Sequence, residues 1–353
     1  MTAQPRVLTH VSSRRADEAF YRVPVTQVIR ETADTVSLLL DTSTVSGEAF
    51  TYRAGQFLTL RVEIDGSVHD RCYSMSSAPM LDRNLQVTVK RERGGVVSNW
   101  VHDNIDGGSE VEVSGPGGVF VLGPGEDREI VAFAGGSGIT PVFSIIRSAL
   151  ATSSRRIRLL YANRDQDSVI FAGRLDELIN VYPSRLTVEH HLDSDNGVVD
   201  ADEVRTFVLG VDEDADYFIC GPGPFMDTVE AALKTTGSDL ERLRTERFVK
   251  PTISAHANAG ASMTETVGIR LNGRKTVVDY REGNTLLQTG RAAGIRPPAQ
   301  CETGSCATCI ARLVDGEVTM MNNDVLTQDE IDDGWILTCQ SIPMTTSVRI
   351  DYE

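Results

Sequence analysis

Cys301-Glu302-Thr303-Gly304-Ser305-Cys306-Ala307-Thr308-Cys309 is followed, after 29 further residues, by Cys339. The spacing C-x4-C-x2-C with one remote cysteine is that of a 2Fe–2S cluster. Three thiolates on a tight loop wrap one side of such a cluster, and a distant strand supplies the fourth. The small residues between the cysteines let backbone amides approach the sulfides and hydrogen-bond them, which tunes the potential. Zinc also takes four thiolates, but zinc sites usually pair two C-x2–4-C knuckles, whereas here the second half is a single cysteine. Cys301, Cys306, Cys309 and Cys339 are the predicted metal ligands.

Working outward from this loop, the strand-like runs 267–271 and 276–279 flank Asn272-Gly273, a strong hairpin signal. A helix is predicted over 285–293, and the remainder to the C-terminus reads as loop-rich. Upstream, residues 249–264 (VKPTISAHANAGASMT) are small, polar and without period, as in a linker. Sixteen extended residues reach at most about 55 Å. From 126 to 248 short apolar strands (129–134, 157–162, 186–191, 217–220) alternate with helical patterns (141–150, 174–181, 224–235), which predicts a parallel α/β sheet. His190 and His191 are neighbours on one of these strands, so they face opposite ways and form no metal pair. From 20 to 124 short alternating strands are punctuated by Gly, Pro, Asn and Asp, the pattern of an antiparallel barrel or sandwich.

The whole chain has 353 residues, room for two or three domains. Its net charge of −16 excludes the basic face that a phosphate-backbone binder needs, so no nucleic-acid partner is expected. No apolar run of about 18 residues exists, so no membrane span is expected. Residues 1–19 lack the apolar core of a secretory signal and read as a flexible extension. Six cysteines are too few for a disulfide scaffold, so a cytoplasmic setting with reduced thiols is expected.

Two glycine turns close predicted strands of the α/β region. Gly136-Ser137-Gly138-Ile139-Thr140-Pro141 follows the first strand and opens a helix. There glycines let the backbone close on a pyrophosphate and the helix N-terminus supplies amide donors. Cys220-Gly221-Pro222-Gly223-Pro224 follows a later strand, and ligands of such sheets sit at the carboxyl ends of strands. Each turn alone is weak, since glycine turns join many strands to helices, and a free cysteine is usually an inert buried thiol. The segment 161–167 (YANRDQD) lies where an adenosine ribose would sit. Arg164 could receive a 2′-phosphate that Asp165 and Asp167 would repel, so NADH and NADPH both stay open. In the first region, Arg71-Cys72-Tyr73-Ser74 offers a guanidinium for a pyrophosphate, a ring for stacking and a hydroxyl for a ring nitrogen. Gly94-Gly95-Val96-Val97-Ser98 precedes a predicted helix over 99–103, with Ser98 as its expected N-cap.

In this order these motifs resemble the ferredoxin–NADP reductase superfamily, and residues 267–353 resemble plant-type ferredoxins. The combination is similar to the reductase components of multicomponent oxygenases. RCYS, VKRERGGVVSNW, AGGSGITPV, YANRDQDSVIF and CGPGPFMDTV look like segments of the 3-ketosteroid 9α-hydroxylase (Rieske-type) reductase group. The resemblance implies a multidomain fold: an antiparallel FAD-binding β-barrel (20–124), an α/β parallel-sheet nucleotide domain (125–248), a linker (249–264) and an α+β, β-grasp ferredoxin domain (265–353). It implies FAD, a 2Fe–2S cluster and NADH or NADPH, with hydride passing to FAD and single electrons passing through the cluster to a terminal oxygenase. A di-iron oxygenase of the phenylacetyl-CoA epoxidase kind stays open as the acceptor, and a redox sensor is the non-enzymatic alternative. A monomer is expected.

Residue by residue, the resemblance gives Arg71, Tyr73, Ser74, Lys90, Gly95, Val97 and Ser98 to the flavin side. It gives Gly136, Gly138, Thr140, Pro141, Asn163, Arg164, Cys220, Gly221 and Pro222 to the nucleotide side. Phe248, within the matching Glu246-Arg247-Phe248, covers the flavin face. Ser74, Cys220, Glu246 and Phe248 are the implied catalytic residues.

Overall fold

The first sheet is antiparallel, and β-strands rich in Val, Leu and Thr build it. β1 (Phe20–Thr32), β2 (Thr35–Leu40), β3 (Phe57–Ile64), β4 (Ser67–Ser74), β5 (Leu85–Lys90) and β6 (Glu110–Ser114) pair antiparallel in the order β4-β3-β6-β1-β2-β5. A bridge between Met75 and Val87 returns the end of β4 to β5 and closes a barrel. Val23, Leu38, Leu58, Val87 and Val113 fill it, each at most 1% exposed. Burying one such side chain contributes about 1.5–3 kcal/mol. The helix after β5, α1, spans Val96–Asn104 and is capped by Gly95, not by Ser98 as the sequence suggested. Ser98 lies in the first turn, and its Oγ accepts from the Glu92 amide at 3.0 Å.

The structure is a computed structural model and describes residues 20–123, 127–248, 264–304, 306–323 and 325–352. The expected extension over 1–19, and the expected linker apart from Thr264, lie outside the described residues.

The second sheet is parallel, in the order β11-β10-β7-β8-β9. Its elements are β7 (Ile130–Gly135), α2 (Ile139–Thr152), β8 (Ile157–Asn163), α3 (Ala172–Val181), β9 (Leu186–Leu192), α4 (Asp193–Asn196), α5 (Ala201–Phe207), β10 (Asp216–Cys220), α6 (Gly223–Leu233) and β11 (Leu243–Glu246). Both faces are covered, so β7 reads as an unbroken apolar run. Ile130, Ala132 and Ala134 pack with α2, while Val131 and Phe133 pack with Val204, Phe207, Met226 and Val229 of α5 and α6. Sequence periodicity missed α5 and β11. The first has seven residues, of which Asp202, Glu203 and Arg205 are charged, and the second (LRTE) has one apolar residue.

From β7 the chain goes to β8 on one side and later returns to β10 on the other, which makes the gap between β7 and β10 a topological switch point. Both glycine turns lie there, and they touch. A Cβ at Gly138 would sit 2.0 Å from the Cys220 carbonyl oxygen, and one at Gly135 would sit 2.7 Å from Pro222. The barrel is bolted to this domain by Arg147, which forks onto Asp82 with one bond of 2.8 Å, and by Ser144 Oγ, which donates to the Ser77 carbonyl at 2.6 Å.

The third sheet, β13-β12-β18-β14-β16, is mixed, with β12 and β18 parallel. It is built from β12 (Thr266–Leu271), β13 (Arg274–Asp279), β14 (Ile310–Asp315), β16 (Trp335–Leu337) and β18 (Ser347–Tyr352). A side ribbon pairs β15 (Val318–Met320) with β17 (Ser341–Pro343), and the helices are α7 (Leu286–Ala292) and α8 (Gln328–Asp332). Asn272 and Gly273 take φ of 50° and 76° in the β12–β13 hairpin, as an Asn-Gly turn requires. The segment read as loop-rich holds five strands. Three of them have only three residues, too short to show a period. Among the described residues no helix is long and apolar enough to cross a membrane.

His190 is exposed and His191 is buried, on opposite faces of β9. Burial opposes a charge on His191, but the Gly197 carbonyl and the Glu203 carboxylate, 2.7 Å from its two ring nitrogens, outweigh it and raise its pKa above 6.5. Its stabilisation is therefore complete below pH 6.5 and is lost as pH rises through the raised value. The melting temperature should fall more steeply above that pH in the wild type than in His191→Gln; equal slopes would show a neutral ring. Gly138→Ala must push two backbone turns apart and should cost about 1–3 kcal/mol. A denaturation midpoint unchanged from wild type would show that the turns separate freely.

Candidate functional site

Ser74 ends β4 and Glu246 ends β11. Their side chains, 3% and 4% exposed, meet where the barrel abuts the nucleotide sheet. Ser74 Oγ donates to Glu246 Oε2 at 2.7 Å. Register sets Cys220 beside Glu246 across β10 and β11. Burial pushes the Cys220 thiol well above its usual pKa and the Glu246 carboxylate adds to this, so the thiol is protonated at neutral pH. Just beyond, Arg247 pairs with Glu230 at 2.6 Å and with Asp227 at 2.9 Å, which pins the end of β11 to α6 and sets the place of the half-exposed Phe248.

Phe248, Glu246, Ser74 and Arg71 share one cavity of about 260 Å³ with Phe57, Cys72 and the cluster-loop residues Gln300–Thr303. The sequence analysis did not single out Gln300, Phe57 or Gly117, because an isolated Gln, Phe or Gly carries no motif. Tyr73 is partly buried and packs against the barrel core; burial raises its phenol pKa. Gly95, Val97 and Ser98 form the start of α1. A Cβ at Gly95 would lie 2.6 Å from Ser98 Oγ, so this cradle is shaped around a bare backbone. A flavin diphosphate fits such a helix start.

At the switch point Gly136, Gly138, Thr140, Pro141, Cys220, Gly221 and Pro222 come together, with Thr140 Oγ1 turned back to the Ser137 carbonyl at 3.0 Å. Lys90 reaches across from the barrel: its Nζ would be 3.8 Å from a Cβ on Gly136. At the end of β8, Asn163 is 5% exposed, and both polar atoms of its side chain are buried with no hydrogen-bond partner among the described residues. A buried amide left unsatisfied by the chain fits a nucleotide's polar edge. Arg164 next to it is paired instead with Asp34 of the β1–β2 turn, at 3.5 Å, and Asp34 lies 3.9 Å from Lys90 Nζ. Asp165 does not face outward alone, since its Oδ1 accepts from the Ser168 amide at 2.9 Å.

Of the four predicted ligands, Cys301 lines the cavity. Among the described residues no three such side chains are placed to hold a single metal ion. The cysteines sit as two pairs: Cys301 beside Cys306 pushes that thiol up together with burial, and Cys339 does the same to Cys309. Two pairs fit two irons better than one zinc. Amides point at the sulfurs: Thr303 N to Cys301 at 3.4 Å, and Cys301 N and Thr308 N to Cys306 at 3.5 Å. Leu287 of α7 packs against Cys309 and Cys339 from the core side. Metal uptake at these thiols would release their protons.

Family comparisons agree with the three sheets. An oxidoreductase FAD-binding domain family matches residues 22–122, an oxidoreductase NAD-binding domain family 133–231, and a 2Fe-2S iron-sulfur cluster binding domain family 269–344. The ferredoxin reductase component of the 3-ketosteroid-9-alpha-monooxygenase of Rhodococcus rhodochrous is 41% identical, over 93% of this chain and 95% of that protein. A component of the 1,2-phenylacetyl-CoA epoxidase of Escherichia coli (strain K12) is 33% identical, over 95% of this chain and 98% of that protein. The crystal structure of phthalate dioxygenase reductase superposes with a TM-score of 0.64 at 26% identity, covering 95% of this chain and 98% of that one. The chain thus belongs to the oxidoreductase family of oxygenase reductase components, in which FAD-binding, NAD-binding and 2Fe–2S domains are joined.

Proposed function

We propose that this reductase draws on NADH and feeds single electrons to a terminal oxygenase of Rieske type, with the division of the chain and the residue roles set out above. The observation that carries the reading is the shared cavity, whose walls come from both the flavin-side residues and the loop of Cys301. A bound flavin would accept hydride as an electron pair and release electrons one at a time to a one-electron cluster. The protein's part is placement. Arg71 and the start of α1 hold the diphosphate, and Ser74, fixed by Glu246, faces the reacting edge. The protonated Cys220 adds no second negative charge beside Glu246, and Phe248 covers the face that nicotinamide must reach. A monomeric, cytoplasmic protein suits this role.

The coenzyme preference rests on Asp34. Its carboxylate occupies the guanidinium of Arg164, the one basic side chain in the 161–167 segment. A 2′-phosphate would have to displace it and would meet its charge. The names of the relatives support an oxygenase as acceptor, and a di-iron partner is the second reading, favoured by the 33% identical epoxidase component. Co-purification of the partner and assay of its metal decide between them.

Cys306→Ser should abolish reduction of a one-electron protein acceptor such as cytochrome c while leaving NADH–ferricyanide activity. Loss of both activities in folded, flavin-replete protein would overturn the order flavin, then cluster. Asp34→Ala should free Arg164 for a charge-assisted bond and raise kcat/KM for NADPH about tenfold. The gain should disappear in Asp34→Ala/Arg164→Ala, and an unchanged NADH/NADPH ratio would dismiss the assignment.

A further inference from the structure

Gln300 stands immediately before the first cluster ligand, and among the described residues it brings the cluster loop against the barrel. Its carbonyl accepts from the Cys72 thiol at 3.6 Å, and Cys72 lies between Arg71 and Tyr73 in the flavin-side motif. Its side chain lies over Gly117, where a Cβ would come within 2.5 Å of Oε1 and 3.0 Å of Nε2. Gly117 in turn exchanges backbone hydrogen bonds with Phe57, a wall of the shared cavity, at 2.8 and 3.0 Å. On its far side Gln300 Oε1 accepts from Thr308 Oγ1 at 3.4 Å, and that hydroxyl lies 3.2 Å from Cys306 Sγ.

The rest of the loop is held from within the ferredoxin domain. Glu302 pairs with Arg291 at 2.6 Å, Gln340 Nε2 donates to the Glu302 carbonyl at 2.8 Å, and Asn322 Nδ2 donates to the Thr303 carbonyl at 2.7 Å. The loop is thus stiff on its own side, and Gln300 is the part that reads the neighbouring domain.

We propose that Gln300 is a positioning residue that latches the cluster loop onto the flavin barrel, with Gly117 as the cleared surface that admits it. The latch fixes the separation between flavin and cluster. Its named hydrogen bonds run to Cys72 and Thr308, not to Ser74, Cys220, Glu246 or Phe248. Gly117 does not have a positive φ, so alanine is conformationally allowed there. Its effect is steric, on the far end of the Gln300 side chain, and Gly117→Ala should displace the amide from Thr308 and reproduce Gln300→Ala.

The test uses the full-length holoenzyme as wild type, Gln300→Ala, Gly117→Ala and the double variant, each checked for flavin and cluster content. NADH–ferricyanide activity, measured on all four, gives the rate of the flavin step against which cluster reduction is compared. Stopped-flow bleaching of the cluster by NADH should slow severalfold or more in each single variant, because electron transfer falls off with separation. Alkylation of Cys72 by N-ethylmaleimide in resting protein, mapped by mass spectrometry, should quicken about tenfold as the thiol loses its cover. The double variant should be no worse than either single, because both changes remove one contact. Losses that add, or single variants with wild-type bleaching and wild-type Cys72 alkylation, would overturn the latch. The proposal rests on electrons passing through the cluster. If the wild type failed to bleach, that reading would fall, while Cys72 alkylation would still report on the latch by itself.

Discussion

The hydrogen bond from Ser74 to Glu246 joins residues 172 positions apart, and the site depends on it. One partner ends a barrel strand and the other ends the last strand of the parallel sheet. Both are almost fully buried, so neither has water as an alternative partner, and leaving either unsatisfied would cost about 1–3 kcal/mol or more. The bond therefore sets the angle at which the two domains meet. Register then places Cys220 beside Glu246 within the sheet, and across the seam Lys90 reaches Gly136. Other polar bonds share the load, the buried one from Ser144 to the Ser77 carbonyl and the part-buried fork of Arg147 on Asp82.

Legibility in the sequence tracked how local each constraint is. The cysteine spacing, the two glycine turns and the Asn-Gly hairpin were readable because each is a short stretch in which geometry dictates residue type. The apolar run of β7 was readable as a strand, though not its division into two faces served by different helices. What escaped was short or relational. β16 and β17 have three residues each, and β11 has one apolar side chain, so no period could announce them. Ser98 looked like a cap, but the helix begins two residues earlier, after a glycine whose missing Cβ makes room for that serine. Arg164 looked free to greet a phosphate, because its partner Asp34 lies in another domain. Gln300 and Gly117 gain meaning only in contact.

The two seams of the molecule differ in kind, and the difference suits their tasks. Between barrel and nucleotide sheet the contacts include the buried bond of Ser74 to Glu246 and the Arg147–Asp82 fork, both charge-assisted, the class of bond worth roughly twice a neutral one. Hydride transfer needs that stiffness, since donor and acceptor atoms must meet at van der Waals distance. Between barrel and cluster loop the named contacts are a thiol on a carbonyl and an amide over a glycine. An electron needs proximity but no bonding geometry, so a weaker seam suffices. A weaker seam also leaves a carrier domain able to present its cluster to an outside acceptor. The −16 charge of the whole chain adds nothing specific to that presentation. The local geometry around Gln300 does, because it decides how firmly the cluster faces inward.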